Sequence, residues 1–346
     1  MPNVKAYAVK NAQAPLAPFQ IERREPGPKD VEIEVLYCGI CHSDLHQVRN
    51  EWKSSSYPLV PGHEIAGRVA RVGKKVRKFK AGDLAGVGCL VDSCRKCPQC
   101  KAEREQFCDN VPSFTYNGLE RDGKTPTYGG YSKSVVVDEA FALKIKPGQP
   151  LEQVAPLLCA GITTYSPLKR FKVGKGDSVG VMGLGGLGHM AVKLGAAMGA
   201  EVTVISRASA KKADAKRLGA ADYAATDDPA TAQKLQKRFD LIIDTVSADH
   251  DVSAALGWLK IGGTLVLVGA PPNPLAVAAF PLITQRALAG SLIGGIAETQ
   301  EMLDFCAKKK VACDVEVIAI KDVNQAYDRL ARGDVRYRFV IDLATL

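Results

Sequence analysis

The stretch GLGGLG at residues 183–188 restricts most narrowly what this chain can fold into. It follows SVGVM (178–182), short and apolar enough for a buried strand, and precedes the helical HMAVKLGAAMGA (189–200). A second apolar run, EVTVI (201–205), begins about twenty residues further on. Glycines also serve ordinary turns, so the spacing alone is a weak signal. Strand, helix and second strand in this order give it meaning, because a dinucleotide-binding βαβ unit requires that context. There Gly183 permits the tight turn, Gly185 admits a pyrophosphate close to the backbone, and Gly188 lets helix and strand pack. Leu184, Gly186 and Leu187 complete a loop whose amides, with the helix dipole, face the phosphates.

The same rhythm continues through FDLIIDTV (239–246) and TLVLVG (264–269), separated by amphipathic or Ala-rich segments, which predicts a parallel sheet. Upstream the texture differs. Residues 31–37 alternate, with Val31, Ile33, Val35 and Tyr37 on one face and Glu32 and Glu34 on the other, a half-buried strand. HEIAGRVARV (63–72) and YSKSVVV (131–137) are further β-like runs in a segment rich in Gly and Pro. At 346 residues the chain is long enough for two domains. Near its end, DVNQAYDRLARG (322–333) reads as an amphipathic helix with Asp322 as N-cap, Gln325 three residues on and Gly333 past the last turn. Its shared face carries Val323, Ala326, Tyr327 and Leu330. RFVID (338–342) is a short strand able to return to the first domain.

The second strand of the glycine motif ends in ISRASAKK (205–212), not in the acid that an NAD site places against the ribose hydroxyl. Ser206, Arg207 and Lys211 offer a hydroxyl and two cations instead, which favours a 2′-phosphate and so NADP(H). The bland reading is a solvated helix start.

Ten cysteines invite a metal reading, because the chain shows neither a secretory signal nor a long apolar run and a cytoplasmic setting disfavours disulfides. Cys94, Cys97, Cys100 and Cys108 stand as C-x2-C-x2-C-x7-C, the spacing of a closed four-thiolate zinc site; an iron–sulfur cluster is the runner-up. An open zinc site needs three protein ligands. Cys41 and His63 can supply two, and Cys159, in LLCAGIT (157–163), lies at the junction of the two sequence textures; alone, it would be a small core residue.

The formal charge of +9 would suit nucleic acid or a membrane surface, but the basic runs at 74–80 and 308–310 lack interleaved aromatics beyond Phe79. Neither partner is expected. A zinc-knuckle nucleic-acid-binding protein is the competing reading from another class.

Taken in order, GICHSD (39–44), PGHE (61–64), the four-cysteine knuckle, CAGIT (159–163), MGLGGLGHMAVK (182–193) and SLIGGIAETQEMLDF (291–305) resemble the zinc-dependent medium-chain alcohol dehydrogenases. The likeness is nearer to the cinnamyl alcohol dehydrogenase branch and bacterial NADP-dependent aldehyde reductases. It implies an α/β plus β fold: a GroES-like β-rich catalytic domain (1–154) with the structural zinc lobe, a doubly wound Rossmann domain (155–296), and a C-terminal return (297–346). It makes Cys41, His63 and Cys159 the ligands of a catalytic zinc beside a structural one, with Glu64 an acid able to take the fourth position and Asp44 orienting the histidine. Ser43 and His46 become a proton relay. Thr163 joins the glycine loop, Ser206, Arg207 and Lys211 in holding the cofactor, and Trp52, Phe114 and Leu292 line the substrate pocket. His42 is left with a packing or cofactor-phosphate contact, His189 with a structural role, His250 with an exposed loop or helix start, and Cys38, Cys89, Cys306 and Cys313 as ordinary buried thiols. The implied activity is hydride transfer between NADP(H) and a primary alcohol or aldehyde of aromatic, allylic or medium aliphatic type. The run ALAGSLIGG (287–295) is expected to pair as an edge strand in a homodimer. A zinc-free quinone reductase of the same fold would lack the catalytic ligands.

Overall fold

The computed structural model describes residues 3–207, 209–271 and 273–346. The chain divides into two compact units, Met1–Cys159 with Gly294–Leu346, and Ala160–Ile293.

The first unit is built on a seven-stranded sheet whose centre is the strand Asp30–Gly39. It pairs antiparallel with Ile65–Val72, Ser134–Asp138 and Arg338–Asp342. Val31, Ile33 and Val35 are buried and Glu34 is exposed, as the alternation predicts, but Tyr37 is only half-buried and Cys38 is fully inside. A register shift between Val35 and Tyr37 against Ile65–Val72 explains this: a bulge offsets the side-chain alternation. The strand Val315–Ala319 joins the outer side of Arg338–Asp342 in parallel, so the late segment of the chain completes the sheet begun by its early one.

The helix Val323–Ala331 buries the expected face, Val323, Ala326, Tyr327 and Leu330. Its start differs from expectation. Asp322 closes the 3-10 turn Ile320–Asp322 and its side chain makes no cap hydrogen bond, because its backbone is near-helical rather than in the extended conformation that aims a capping side chain.

The second unit holds a six-stranded parallel sheet. Its spatial order is Asp222–Ala225, Glu201–Ser206, Ser178–Met182, Phe239–Asp244, Leu259–Leu267, Ala287–Gly290. Numbered along the chain this is 3-2-1-4-5-6, the doubly wound arrangement whose crevice opens where strand order reverses, at the first strand. The central strands are mainly apolar, with Val179, Val181, Val202, Val204, Ile242 and Val266 fully buried, as a sheet covered on both faces demands. The helix Gly188–Met198 ends on Gly199 at φ +99°, a left-handed stop. Among the described residues no helix is long and apolar enough to cross a membrane.

Candidate functional site

CHSD at residues 41–44 forms a capping box. Cys41 is the N-cap of the helix His42–Val48, and the Asp44 carboxylate reaches back to accept the Cys41 N–H at 2.8 Å. Asp44 is fully buried and its other oxygen, Oδ1, accepts the Gly62 N–H at 3.1 Å and meets His63 Nδ1 at 3.1 Å. Gly62 stands at φ +104°, and a Cβ there would collide with Tyr131 and Cys38. The turn thus delivers His63 and Glu64 immediately before the strand Ile65–Val72. Cys159 follows the 3-10 turn Ala155–Leu158.

These segments bring Cys41, His63, Glu64 and Cys159 together, all buried, with one ligand atom of each lying within 4.8 Å of the others. The Cys41 and Cys159 sulfurs are 3.9 Å apart. Hydrogen bonding from Cys159, against burial, and the nearby Arg338 and His63 charges hold the Cys41 thiol well below its ordinary range; the same pairing pushes Cys159 up. Because Asp44 Oδ1 can only accept from Nδ1, the His63 tautomer is assigned with its Nδ1 proton on Asp44 and Nε2 left as a donor atom for a metal. Two thiolates and an imidazole in a buried tetrad form a donor set that suits zinc, and the residues present fit the ion.

Glu64 is fully buried and pairs through Oε1 with Arg338, while its Oε2 has no hydrogen-bond partner. Gly39 makes room for it, since a Cβ there would strike the carboxylate. Burial pushes the Glu64 carboxyl up, to about 7, against the pull of Arg338.

Ser43 lies 3.7 Å from the Cys41 sulfur. His46, three residues along the same short helix, does not meet Ser43 directly; its Nδ1 bonds to Glu51 Oε2 and its ring lies 5.0 Å from that of Trp52. Trp52 and Phe114 are large exposed apolar side chains, 44% and 40%. Leu292, 49% exposed, belongs to the second unit.

The four knuckle cysteines converge likewise, their sulfurs within 4.8 Å of one another. Each bend aims an amide at a sulfur: Cys97 N–H to Cys94, Cys100 N–H to Cys97 and Cys94 N–H to Cys108, all at 3.4 Å. Donors from Lys96, Asn110 and Cys97 bring the Cys94 thiol down to about 5. A closed tetrahedral site with amides already turned to its thiolates fits structural zinc.

In the second unit the glycines behave as their positions demand. Gly183 has φ +83°, a Cβ on Gly188 would collide with the Gly183 carbonyl, and Gly185 faces open space with nothing within 4 Å. Leu184 is buried, while Gly186 and Leu187 are half-buried. The second strand ends at Ser206 and the exposed Arg207 follows it, where an NAD site would place an acid, and Lys211 donates to the Leu184 carbonyl at 2.8 Å. An open cradle above Gly185 with cations at the neighbouring strand end fits a dinucleotide carrying a 2′-phosphate. Thr163 is buried in the helix Ala160–Arg170.

Four neighbours of the site carried no signal strong enough to find them. Arg338 sits in the last strand and has no spacing relation to Glu64. Glu51 is five residues from His46, off any helical pairing. Tyr116 places its ring 5.8 Å from that of His63. Cys89, read as an ordinary buried thiol, is half-buried, and its thiol donates to the Leu158 carbonyl at 3.9 Å, next to Cys159. His250 also departs from its exposed reading: its side chain is 14% exposed and bonds to Asp244. His189 is buried, with Nδ1 on the Gly186 carbonyl at 2.8 Å.

Comparison with known proteins gives a consistent result. Residues 27–147 match the alcohol dehydrogenase GroES-like domain and residues 186–308 the zinc-binding dehydrogenase family. The chain is 56% identical to NADP-dependent alcohol dehydrogenase C 1 of Mycolicibacterium smegmatis, over 100% of this chain and 99% of that one. It is 51% identical to an aldehyde reductase of Escherichia coli, over 99% of both. Among solved structures, a cinnamyl alcohol dehydrogenase from Sorghum bicolor superposes with a TM-score of 0.96 at 45% identity, over 99% of this chain and 98% of that one. The cinnamyl alcohol dehydrogenase of Helicobacter pylori, complexed with NADP(H), gives 0.93 at 46% identity, over 99% and 98%.

Proposed function

The chain belongs to the zinc-binding medium-chain alcohol dehydrogenases, and from that premise we propose how its own residues carry out the reaction. It is an NADP(H)-dependent oxidoreductase interconverting alcohols and aldehydes. The observation that carries the site assignment is the convergence of Cys41, His63 and Cys159 in one buried cluster, with Asp44 fixing the histidine. These three hold the catalytic zinc, and Cys94, Cys97, Cys100 and Cys108 hold the structural one. Bound zinc supplies a Lewis acid for the substrate oxygen, and the nicotinamide supplies or accepts the hydride.

The protein's part is binding, orientation and proton movement. Ser43 donates a proton to the substrate oxygen during reduction and recovers one by way of His46; a hydroxyl suits this role because it both donates and accepts. Glu51 fixes the His46 ring through Nδ1. The Gly183–Gly188 loop, Ser206, Arg207, Lys211 and Thr163 hold NADP(H). Trp52, Phe114 and Leu292 offer apolar surface to aromatic, allylic or medium aliphatic aldehydes, a broad range because single apolar contacts discriminate only modestly.

We also propose a homodimer in the cytoplasm. Among the described residues the edge strand Ala287–Gly290 pairs on one side only, with Leu259–Leu267, and Phe280, Ile283 and Ile261 are exposed at 74%, 75% and 70% in the same unit.

The test is an NADPH-oxidation screen over aromatic, terpenoid and aliphatic aldehydes, with metal analysis of wild type and Ser43→Ala. Two zinc ions per chain are expected in both, with turnover reduced about a hundredfold or more in the variant. One zinc ion per chain, or unchanged kinetics in the variant, contradicts the assignment.

A further inference from the structure

Asp244 ends the fourth strand of the parallel sheet, and its carboxylate is 1% exposed. Oδ1 accepts the Val246 N–H at 3.0 Å, and Oδ2 lies 2.6 Å from His250 Nε2. The other ring nitrogen, Nδ1, faces the Ala248 carbonyl at 2.8 Å. A carbonyl only accepts, so Nδ1 carries a proton. The short Nε2–Oδ2 contact then needs a second proton, shared between imidazole and carboxylate. Both hydrogen bonds persist only while the pair holds that extra proton; when it leaves, the Nε2 lone pair faces a carboxylate.

The segment so pinned lies under the dinucleotide loop. Thr245 donates to the Met182 carbonyl through both its N–H, at 3.1 Å, and its Oγ1, at 2.7 Å. Thr245 Oγ1 and Val246 Cγ2 would lie 3.0 and 3.3 Å from a Cβ on Gly183, so they form the floor on which that glycine's turn rests. The Asp244 carbonyl meanwhile accepts from Val268 and Gly269 at 2.9 and 3.0 Å, which ties the segment to the neighbouring strand end.

We infer that His250 is a positioning residue for the nucleotide site, holding through Asp244 the Thr245–Val246 turn that supports the glycine loop. This rests on the reading of that loop as the NADP(H) site. The carboxylates facing the ring are those of Asp244 and Asp249, the latter held by Asn273 at 2.7 Å, and both favour the protonated ring. Against its partial burial, they and the Ala248 carbonyl raise the His250 pKa above the ordinary histidine value. The nucleotide site is therefore tightest with the pair protonated and loosens as pH rises through the titration of His250.

The test uses the full zinc-loaded protein. NADPH affinity is measured by fluorescence titration from pH 7 to 9.5, where the 2′-phosphate stays ionised (pKa about 6). Wild type should lose about fivefold in affinity across the range and His250→Gln should show a flat profile, with kcat at saturating NADPH little changed. A second measurement needs no variant. By linkage, the titration midpoint of the His250 ring, followed by proton NMR, must move upward on NADPH binding by the logarithm of the same factor. Flat wild-type affinity with an unmoved midpoint overturns the inference, as does a His250→Gln protein that melts earlier but binds NADPH with the wild-type profile. Absence of NADPH binding at every pH would instead sink the reading of the loop itself.

Discussion

Arg338 and Glu64 form an ion pair with both side chains buried, 5% and 0% exposed, although 274 positions separate them in sequence. The arginine stands in the strand Arg338–Asp342 and the acid adjoins His63, so the last strand of the sheet brings a positive charge to the metal cluster. Removing one partner leaves the other charge buried without compensation. Glu64→Gln, which leaves the always-charged Arg338 buried without its acid, should destabilise the protein by about 3–5 kcal/mol in urea unfolding, and adding Arg338→Met should restore much of the loss. A single variant as stable as wild type would show that the pair contributes nothing.

Asp44 holds both the Cys41 amide and the His63 ring, so its loss disturbs two ligands at once. Asp44→Asn is expected to weaken the catalytic zinc about 10- to 100-fold while the four-cysteine site keeps its ion. Competition with a chelator should release one zinc per chain early and one late. Simultaneous release of both would count against separate sites.

Arg207 and Lys211 differ in their duties. Arg207 is exposed at the strand end, whereas Lys211 already donates to the Leu184 carbonyl of the glycine loop. Arg207→Ala should raise KM for NADPH about 10- to 100-fold, the equivalent of about 1.5–3 kcal/mol for a charged hydrogen bond, with KM for NADH unmoved. Lys211→Ala should raise both, because it also loosens the loop. Equal KM values for the two cofactors in wild type would remove the 2′-phosphate assignment.

A pH signature in stability follows from His250. Its folded pKa is raised, so the stabilisation from its Asp244 bond is complete below the unfolded value of about 6.5 and is lost as pH rises through the folded value. Asp244, raised by burial, has the same sign at lower pH, above about 3.9. The stability gap between wild type and His250→Gln should therefore be widest near pH 6 and narrow by pH 9 in parallel urea titrations. A gap that widens with pH would reverse the assigned protonation.

What the sequence made legible divides by the range of the cause. The parallel strands are readable because burial on both faces makes them continuously apolar, and the knuckle because its ligands lie close together. The edge strand Asp222–Ala225 escaped, since DYAA lacks a branched apolar run and is defined by pairing with Glu201–Ser206. The inward turn of Cys38 depends on a bulge set by the partner strand. Cys41 and His63 stood out by local concentration, whereas Cys159 looked like core until resemblance singled it out. Arg338 had no local mark, because its role exists only once a sheet has been assembled from distant segments.

That assembly fixes an order of events during synthesis. The central strand Asp30–Gly39 is made early, but its neighbour Arg338–Asp342 and the cation for Glu64 come some 300 residues later. The 160–293 unit, contiguous in sequence, can close while the ribosome is still translating; the other unit, whose sheet needs Arg338–Asp342, cannot. Throughout that interval the nascent chain carries an incomplete sheet edge beside the strand Asp30–Gly39, so its protection from aggregation depends on the arrival of Arg338–Asp342.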